Sequence, residues 1–287
     1  MALTNSISMT TRISDLDSLR HVNNRVYEQF CSEGRYKLLE EQGYSIESLL
    51  NKGITLRPLA SFVRFFLQQK SNTTLNIHTE AFPTGNGLIF WNHLISQPDG
   101  NTACQLQVKT EALDRHGNPI ELLPTVGEQP ALVFSEDIPD FSGNCERITN
   151  SCTALFTDMD YFGRLPFTAW WRIFEEGRFR SSERLGLTPE NFVRFDTHFF
   201  WVAGNYQYYK PIKAGQKVTI HTWLERIVRI RAYIRQEVRT ADDANLLGAS
   251  REEHLIVSLK EARPKAMPAG IAEMMAAYLE FQDGDGS

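Results

Sequence analysis

The chain has 287 residues, 42% of them apolar and 23% charged, and 30 basic against 35 acidic side chains leave a net charge of −5. This composition excludes disordered and collagen-like classes, no apolar run is long enough to cross a bilayer, and the negative charge argues against nucleic acid or an acidic membrane as a partner. Cys31, Cys104, Cys145 and Cys152 lack CxxC spacing and read as free thiols, and the opening MALTNSISMTTRISDLD has no signal-peptide apolar region, so the expected setting is cytoplasmic.

In chain order, the first feature is the Asp-x-Asp of ISDLD, at Asp15 and Asp17. Apolar Tyr27, Phe30, Cys31, Gly34 and Leu38 then recur at three- and four-residue steps, which predicts a helix with one buried face. Asn23 or Asn24 can cap it and Gly43 can end it. The segments TTLNIHTEAF, GLIFWNHLIS and ACQLQVKTEAL follow as strands, and residues 125–150 read as a connection rich in turn-forming and acidic residues.

A second helix is predicted after Pro166, with Trp170, Ile173, Phe174 and Gly177 on its buried stripe. Strands QKVTIHTWLERI and RIRAYIRQEVRT alternate with period two. Arg229, Arg231, Arg235 and Arg239 share one face of the latter, read as solvated, with coenzyme A phosphates or an acidic carrier as the functional alternative. The last 19 residues read as a short amphipathic helix and a disordered end.

These two series are one series repeated. Shifting the chain by 143 positions aligns residues 11–79 with 154–222 without a gap, and 13 of 69 positions are identical. Asp15 and Asp17 fall on Asp158 and Asp160, Glu33-Gly34-Arg35 on Glu176-Gly177-Arg178, and Ile77-His78-Thr79 on Ile220-His221-Thr222. A period this long fits two copies of one domain. The expected division is 1–127 for the first, 128–150 for the linker, 151–268 for the second and 269–287 for the tail. Each copy is α+β, a long helix followed by antiparallel strands that wrap it. The glycines shared by the two stripes predict close approach of helix to sheet.

The run Ser14-Asp15-Leu16-Asp17-x-x-x-His21-Val22-Asn23-Asn24-x-x-Tyr27, with Glu33-x-Arg35 on the helix, resembles the opening of hot-dog-fold acyl thioesterases, especially the acyl-ACP and 4-hydroxybenzoyl-CoA groups. DRHGNPIELLP and ARPKAMP resemble the ends of the two copies, so the likeness covers most of residues 8–268 and implies a tandem, or double, hot-dog fold. It implies hydrolysis of an acyl-CoA or acyl-ACP to free acid and thiol, without metal or cofactor. Two domains in one chain replace the pairing that single-domain relatives obtain by dimerising, so the protein is expected as a monomer or a homodimer.

The chemistry needs a carboxylate that attacks the carbonyl or deprotonates a water, and donors for the oxyanion. A thiolate leaves readily, so a strong acid is dispensable. The resemblance implies that Asp17 is the carboxylate, that His21 assists it, and that the amides near Asn23 and Asn24 polarise the carbonyl. Asp160, in Asp160-x-x-Gly163, is a second candidate. Tyr27, Phe65 and Tyr208 are candidate walls of an acyl pocket, beside Asn23. Asp15, Asp158, His78 and His221 are read as structural.

The likeness has gaps. Leu19 stands where plant acyl-ACP thioesterases carry Asn, VRFFLQQ lacks their strand Glu, and the second copy has Arg164 and Pro166 for His21 and Asn23. These gaps motivate a non-catalytic module that binds acyl thioesters or a carrier protein as the alternative. A hot-dog dehydratase or hydratase is a third reading. No GxSxG, P-loop, HExxH or GxGxxG occurs.

Overall fold

The computed structural model describes residues 2–126 and 138–281, and the chain divides into two compact units whose boundary lies between these stretches. The first half contains β1 (Leu3–Thr10), α1 (Asn24–Glu41), α2 (Ile46–Lys52), β2 (Thr55–Phe65), β3 (Thr74–Gly85), β4 (Leu88–Ser96) and β5 (Thr102–Leu113). Its strands are antiparallel in the order β1-β3-β4-β5-β2, and α1 lies against β1 and β3. The second half repeats the series as β6 (Ile148–Thr153), α3 (Phe167–Arg184), α4 (Pro189–Arg194), β7 (His198–Tyr208), β8 (Lys217–Val228), β9 (Arg231–Thr240) and β10 (Leu246–Val257). Its order, β6-β8-β9-β10-β7, is the same. Each half is a hot dog.

The helices form where the apolar spacing places them. Asn23 caps α1, its side chain accepting the Arg25 N–H at 3.0 Å, while Asn24 is the first helical residue. Val26, Tyr27, Phe30, Cys31, Leu38 and Leu39 make the buried face. The shared glycines sit where helix meets sheet. A Cβ on Gly34 would lie 2.4 Å from Thr79 Oγ1, and one on Gly177 would lie 2.5 Å from Gln236 Nε2 and 2.7 Å from Ile220 Cγ2. Any side chain there would lift the helix off its strands.

The two interiors differ in polarity. In the first half Leu106, Val108 and Thr110 of β5 face His93, Trp91 and Ile89 of β4. At the same places in the second half, Ser250, Glu252 and His254 of β10 face Gln236, Ile234 and Ala232. All three β10 residues are buried. Glu252 accepts from the Tyr206 hydroxyl at 2.8 Å and is paired with Arg178 and His254, so its charge is compensated. Arg178 lowers the Glu252 carboxyl against the opposing effect of burial.

The solvated-face reading of the arginine row holds at Arg229 and Arg231, which are exposed, and is corrected at Arg235. Arg235 is 2% exposed, lies over the Trp223 ring and donates to the Pro139 carbonyl. Arg231 and Arg239 are engaged by Glu253 and Glu237. Two segments cover this face. Phe141, from the part of the connection that precedes β6, packs on Trp223 with ring centroids 5.0 Å apart. Glu280 accepts from Trp223 Nε1 at 2.6 Å and from the Ser142 N–H at 2.8 Å. β6 itself starts at Ile148, within the segment read as linker.

The tail helix forms as α5 (Ala269–Met275). Ile271 and Met275 pack into a cluster with Leu187, Leu224, Ala232 and Ile256. Most of the end read as disordered, 282–287, lies outside the described residues.

Candidate active site

Asp17 opens a tight loop that leads into α1. Its N–H donates to the His21 carbonyl at 2.8 Å, and its carbonyl accepts the Arg20 N–H at 3.0 Å. Its Oδ1 accepts the Leu19 N–H at 2.8 Å and the His21 N–H at 3.2 Å. Arg20 turns the loop with φ 65°, and Leu16 and Val22 bridge across its base. A short polar side chain bonding two residues ahead is the physical reason for an Asp here. Both loop amides converge on Oδ1, and among the described residues no donor meets Oδ2.

The second half builds the same loop. Asp160 Oδ1 accepts the Phe162 N–H at 2.9 Å and the Arg164 N–H at 3.0 Å, and Gly163, with φ 67°, takes the place of Arg20. Burial raises the Asp160 carboxyl, with the two amides and Arg164 acting in the opposite direction.

Asp15 and Asp158 sit in short 3-10 turns, where each is engaged by hydrogen bonds. Asp15 Oδ2 accepts the Arg12 N–H at 2.7 Å, and Asp158 pairs with Arg172 of α3. His78 and His221 meet hydroxyls of the adjacent strand, Ser6 at 3.0 Å and Thr149 at 3.0 Å.

Beside the Asp17 loop stands the amino end of α1. The Asn23 N–H donates to the Asp15 carbonyl at 2.8 Å, the Arg25 N–H to Asn23 Oδ1, and the Val26 N–H to the Asn23 carbonyl at 2.9 Å. Among the described residues the Asn24 N–H, at the first helical position, meets no acceptor. Asp17, His21, Asn23 and Asn24 are all half-buried.

Tyr27 is one turn further along, 2% exposed, and its ring meets Phe65 edge-on at 5.3 Å. Burial pushes its hydroxyl well above the ordinary phenol range. Tyr208 belongs to the aromatic core of the second half, 5% exposed, with its hydroxyl accepting from Trp171 Nε1 at 3.1 Å.

Sequence reasoning missed a polar cluster under α1. Glu28 and Arg35 are paired and buried within the helix, and Arg35 Nη1 is 3.2 Å from His93 Nε2. Glu28 is seven residues from His21 but faces the sheet, and an interior ion pair leaves no periodic trace. Among the described residues no group of three or more His, Cys, Asp or Glu is placed to hold a metal.

Two halves, each a helix on a five-stranded antiparallel sheet led by an Asp loop, define a tandem hot-dog protein. The chain belongs to the thioesterase-like superfamily, whose profile matches residues 11–135 and 154–275, two stretches that begin with the same 143-residue offset as the internal repeat. Solved structures share the fold over nearly the whole length. A putative oleoyl thioesterase from Lactobacillus plantarum matches with a TM-score of 0.71 and 12% identity over 93% of this chain and 98% of its own. The 12:0-ACP thioesterase from Umbellularia californica gives 0.66 and 9% identity over 92% and 95%. An acyl-ACP thioesterase from Bacteroides thetaiotaomicron gives 0.65 and 10% over 88% and 97%.

Proposed function

We propose that the protein hydrolyses an acyl thioester of a carrier protein or of coenzyme A, with the reacting carboxylate at Asp17. The observation that carries this reading is the Asp17 loop, which turns both its amides onto Oδ1 and, among the described residues, leaves Oδ2 without a donor, in the segment that leads into the α1 terminus. In one route Asp17 takes a proton from water, the hydroxide adds to the thioester carbonyl, and collapse expels the thiolate, which recovers the proton. In the other, the carboxylate adds directly and water cleaves the resulting anhydride. In both, the Asn24 N–H and the helix dipole stabilise the oxyanion. His21 assists the carboxylate, while Asn23 sets the helix terminus.

Half-buried Phe65 offers an apolar surface for the acyl chain, whereas Tyr27 and Tyr208, both buried, would reach ligand only by moving out of their packed positions. The acyl-ACP and oleoyl thioesterases of like fold support an acyl-ACP substrate, with coenzyme A esters as its assay analogues. The four cysteines are free, in keeping with a reducing, cytoplasmic setting. A second reading places the chemistry at Asp160, favoured by its matching loop and by the burial that raises its carboxyl.

The test is thiol release from a panel of acyl-ACP and acyl-CoA thioesters by the full chain. Turnover that falls about 100-fold or more in Asp17→Asn supports the assignment. Saturable binding with no turnover of any thioester would instead make the protein a binding module.

A further inference from the structure

We propose that Gln69 is the positioning residue of this site, holding the Asp17 loop and the α1 terminus in register with the sheet. The assignment rests on Asp17 being the reacting carboxylate. Residues 66–73 connect β2 to β3 across the surface, and Phe66, Leu67, Gln68 and Lys70 are exposed, yet Gln69 is only 1% exposed. A primary amide sealed away from water must find partners for both ends of its side chain. Gln69 Oε1 accepts from Gln97 Nε2 at 2.9 Å, and Gln69 Nε2 donates to the Leu67 carbonyl at 3.2 Å. Gln97 belongs to the β4–β5 hairpin turn, where its own N–H donates to the Asn101 carbonyl at 2.9 Å. The Gln69 side chain therefore ties the β2–β3 connection to the rigid end of the sheet.

Its backbone carries that position to the site. The Gln69 carbonyl accepts the Val22 N–H at 2.9 Å, and its backbone also hydrogen-bonds the Tyr27 hydroxyl. Val22 bridges to Leu16 at the base of the Asp17 loop and directly precedes the cap of α1. One residue thus meets the loop that aims the carboxylate, the residue before the helix cap and the tyrosine one turn beyond. A displacement of about 1 Å at reacting groups can cost on the order of 100-fold in rate.

Among the described residues the second half has no such side-chain tie. Ile212 occupies the place of Gln69 under the 143-residue repeat, is 2% exposed, and has no side-chain hydrogen-bonding group. The polar brace therefore accompanies the half that carries the Asp-x-x-x-His-Val-Asn-Asn run.

The experiment is steady-state hydrolysis of an acyl-CoA by the full chain bearing Gln69→Leu, Asp17→Asn or both, with circular dichroism to confirm folding. Gln69→Leu is expected to lower kcat at least tenfold and leave KM within twofold, and the double variant to be no slower than Asp17→Asn alone. Gln97→Leu, which cuts the tie from the other end, should lower kcat in the same way and serves if Gln69→Leu does not fold. Wild-type kcat in folded Gln69→Leu or Gln97→Leu, with Asp17→Asn inactive, overturns the positioning role and leaves the Asp17 reading standing. Full activity in Asp17→Asn overturns both.

Discussion

His93 and Gln236 occupy the same place in their halves, each directly opposite a threonine of the neighbouring strand and hydrogen-bonded to it, His93 Nδ1 to Thr79 Oγ1 at 2.9 Å and Gln236 Nε2 to Thr222 Oγ1 at 3.1 Å. Only His93 also meets an arginine. Because Arg35 can only donate, His93 Nε2 must be the unprotonated nitrogen and Nδ1 the donor to Thr79. Burial, with Arg35 beside it, holds His93 well below the usual imidazole range.

That placement makes stability pH-dependent. In the unfolded chain a histidine takes a proton as pH falls through about 6.5, whereas folded His93 stays neutral. Stability is therefore full above that pH and falls below it, by roughly 1.4 kcal/mol per pH unit for one such group. His254, lowered by burial against the pull of Glu252, acts in the same direction. His93→Gln, which copies the second half, should flatten the change in urea midpoint between pH 7 and pH 5.5. An unchanged slope would contradict this reading of His93.

Gly34→Ala and Gly177→Ala should each destabilise by about 1–3 kcal/mol, although alanine is the better helix former. The cause is the strand beneath, where Thr79 Oγ1 and Ile220 Cγ2 leave no room for a methyl. Denaturant unfolding measures both. A gain in stability would mean that these helices stand further from their sheets.

The buried Glu28–Arg35 pair offers a double-mutant cycle. Glu28→Leu leaves Arg35 charged and unpaired in the interior, at a cost of about 3–5 kcal/mol, and adding Arg35→Met should recover most of that loss. Additive losses in urea unfolding would show that the two residues do not act as a pair.

Removing the chain after Pro268 deletes Ile271 and Met275 from their cluster and Glu280 from Trp223. The expected outcome is a lower melting temperature and a red shift in tryptophan emission as the indole is opened to water. Emission and melting equal to the full chain would contradict a structural role for the tail.

The parts legible in the sequence were those with local or repeated signatures. Asp17 and Asp160 precede matching loops because a short acid that bonds its own backbone leaves a short motif, and Gly34 and Gly177 mark the contact that admits no side chain. The tail helix was legible from its apolar spacing. Other features depend on partners distant in sequence. Arg235 looks solvated from the alternation of β9, but Pro139 and Trp223 enclose it. Ser250, Glu252 and His254 alternate as polar residues along β10 and still lie inside, where Arg178 and Tyr206 compensate Glu252. Gln69 sits unmarked in VRFFLQQK, and only its enclosure shows its role.

The most direct measurement compares kcat for thioester cleavage in folded Asp17→Asn and Asp160→Asn, side by side with the wild type. The account predicts a loss of about 100-fold or more for the first and a change of less than tenfold for the second. Undiminished turnover in Asp17→Asn, with activity abolished in Asp160→Asn, would transfer the reaction to the second half and contradict it.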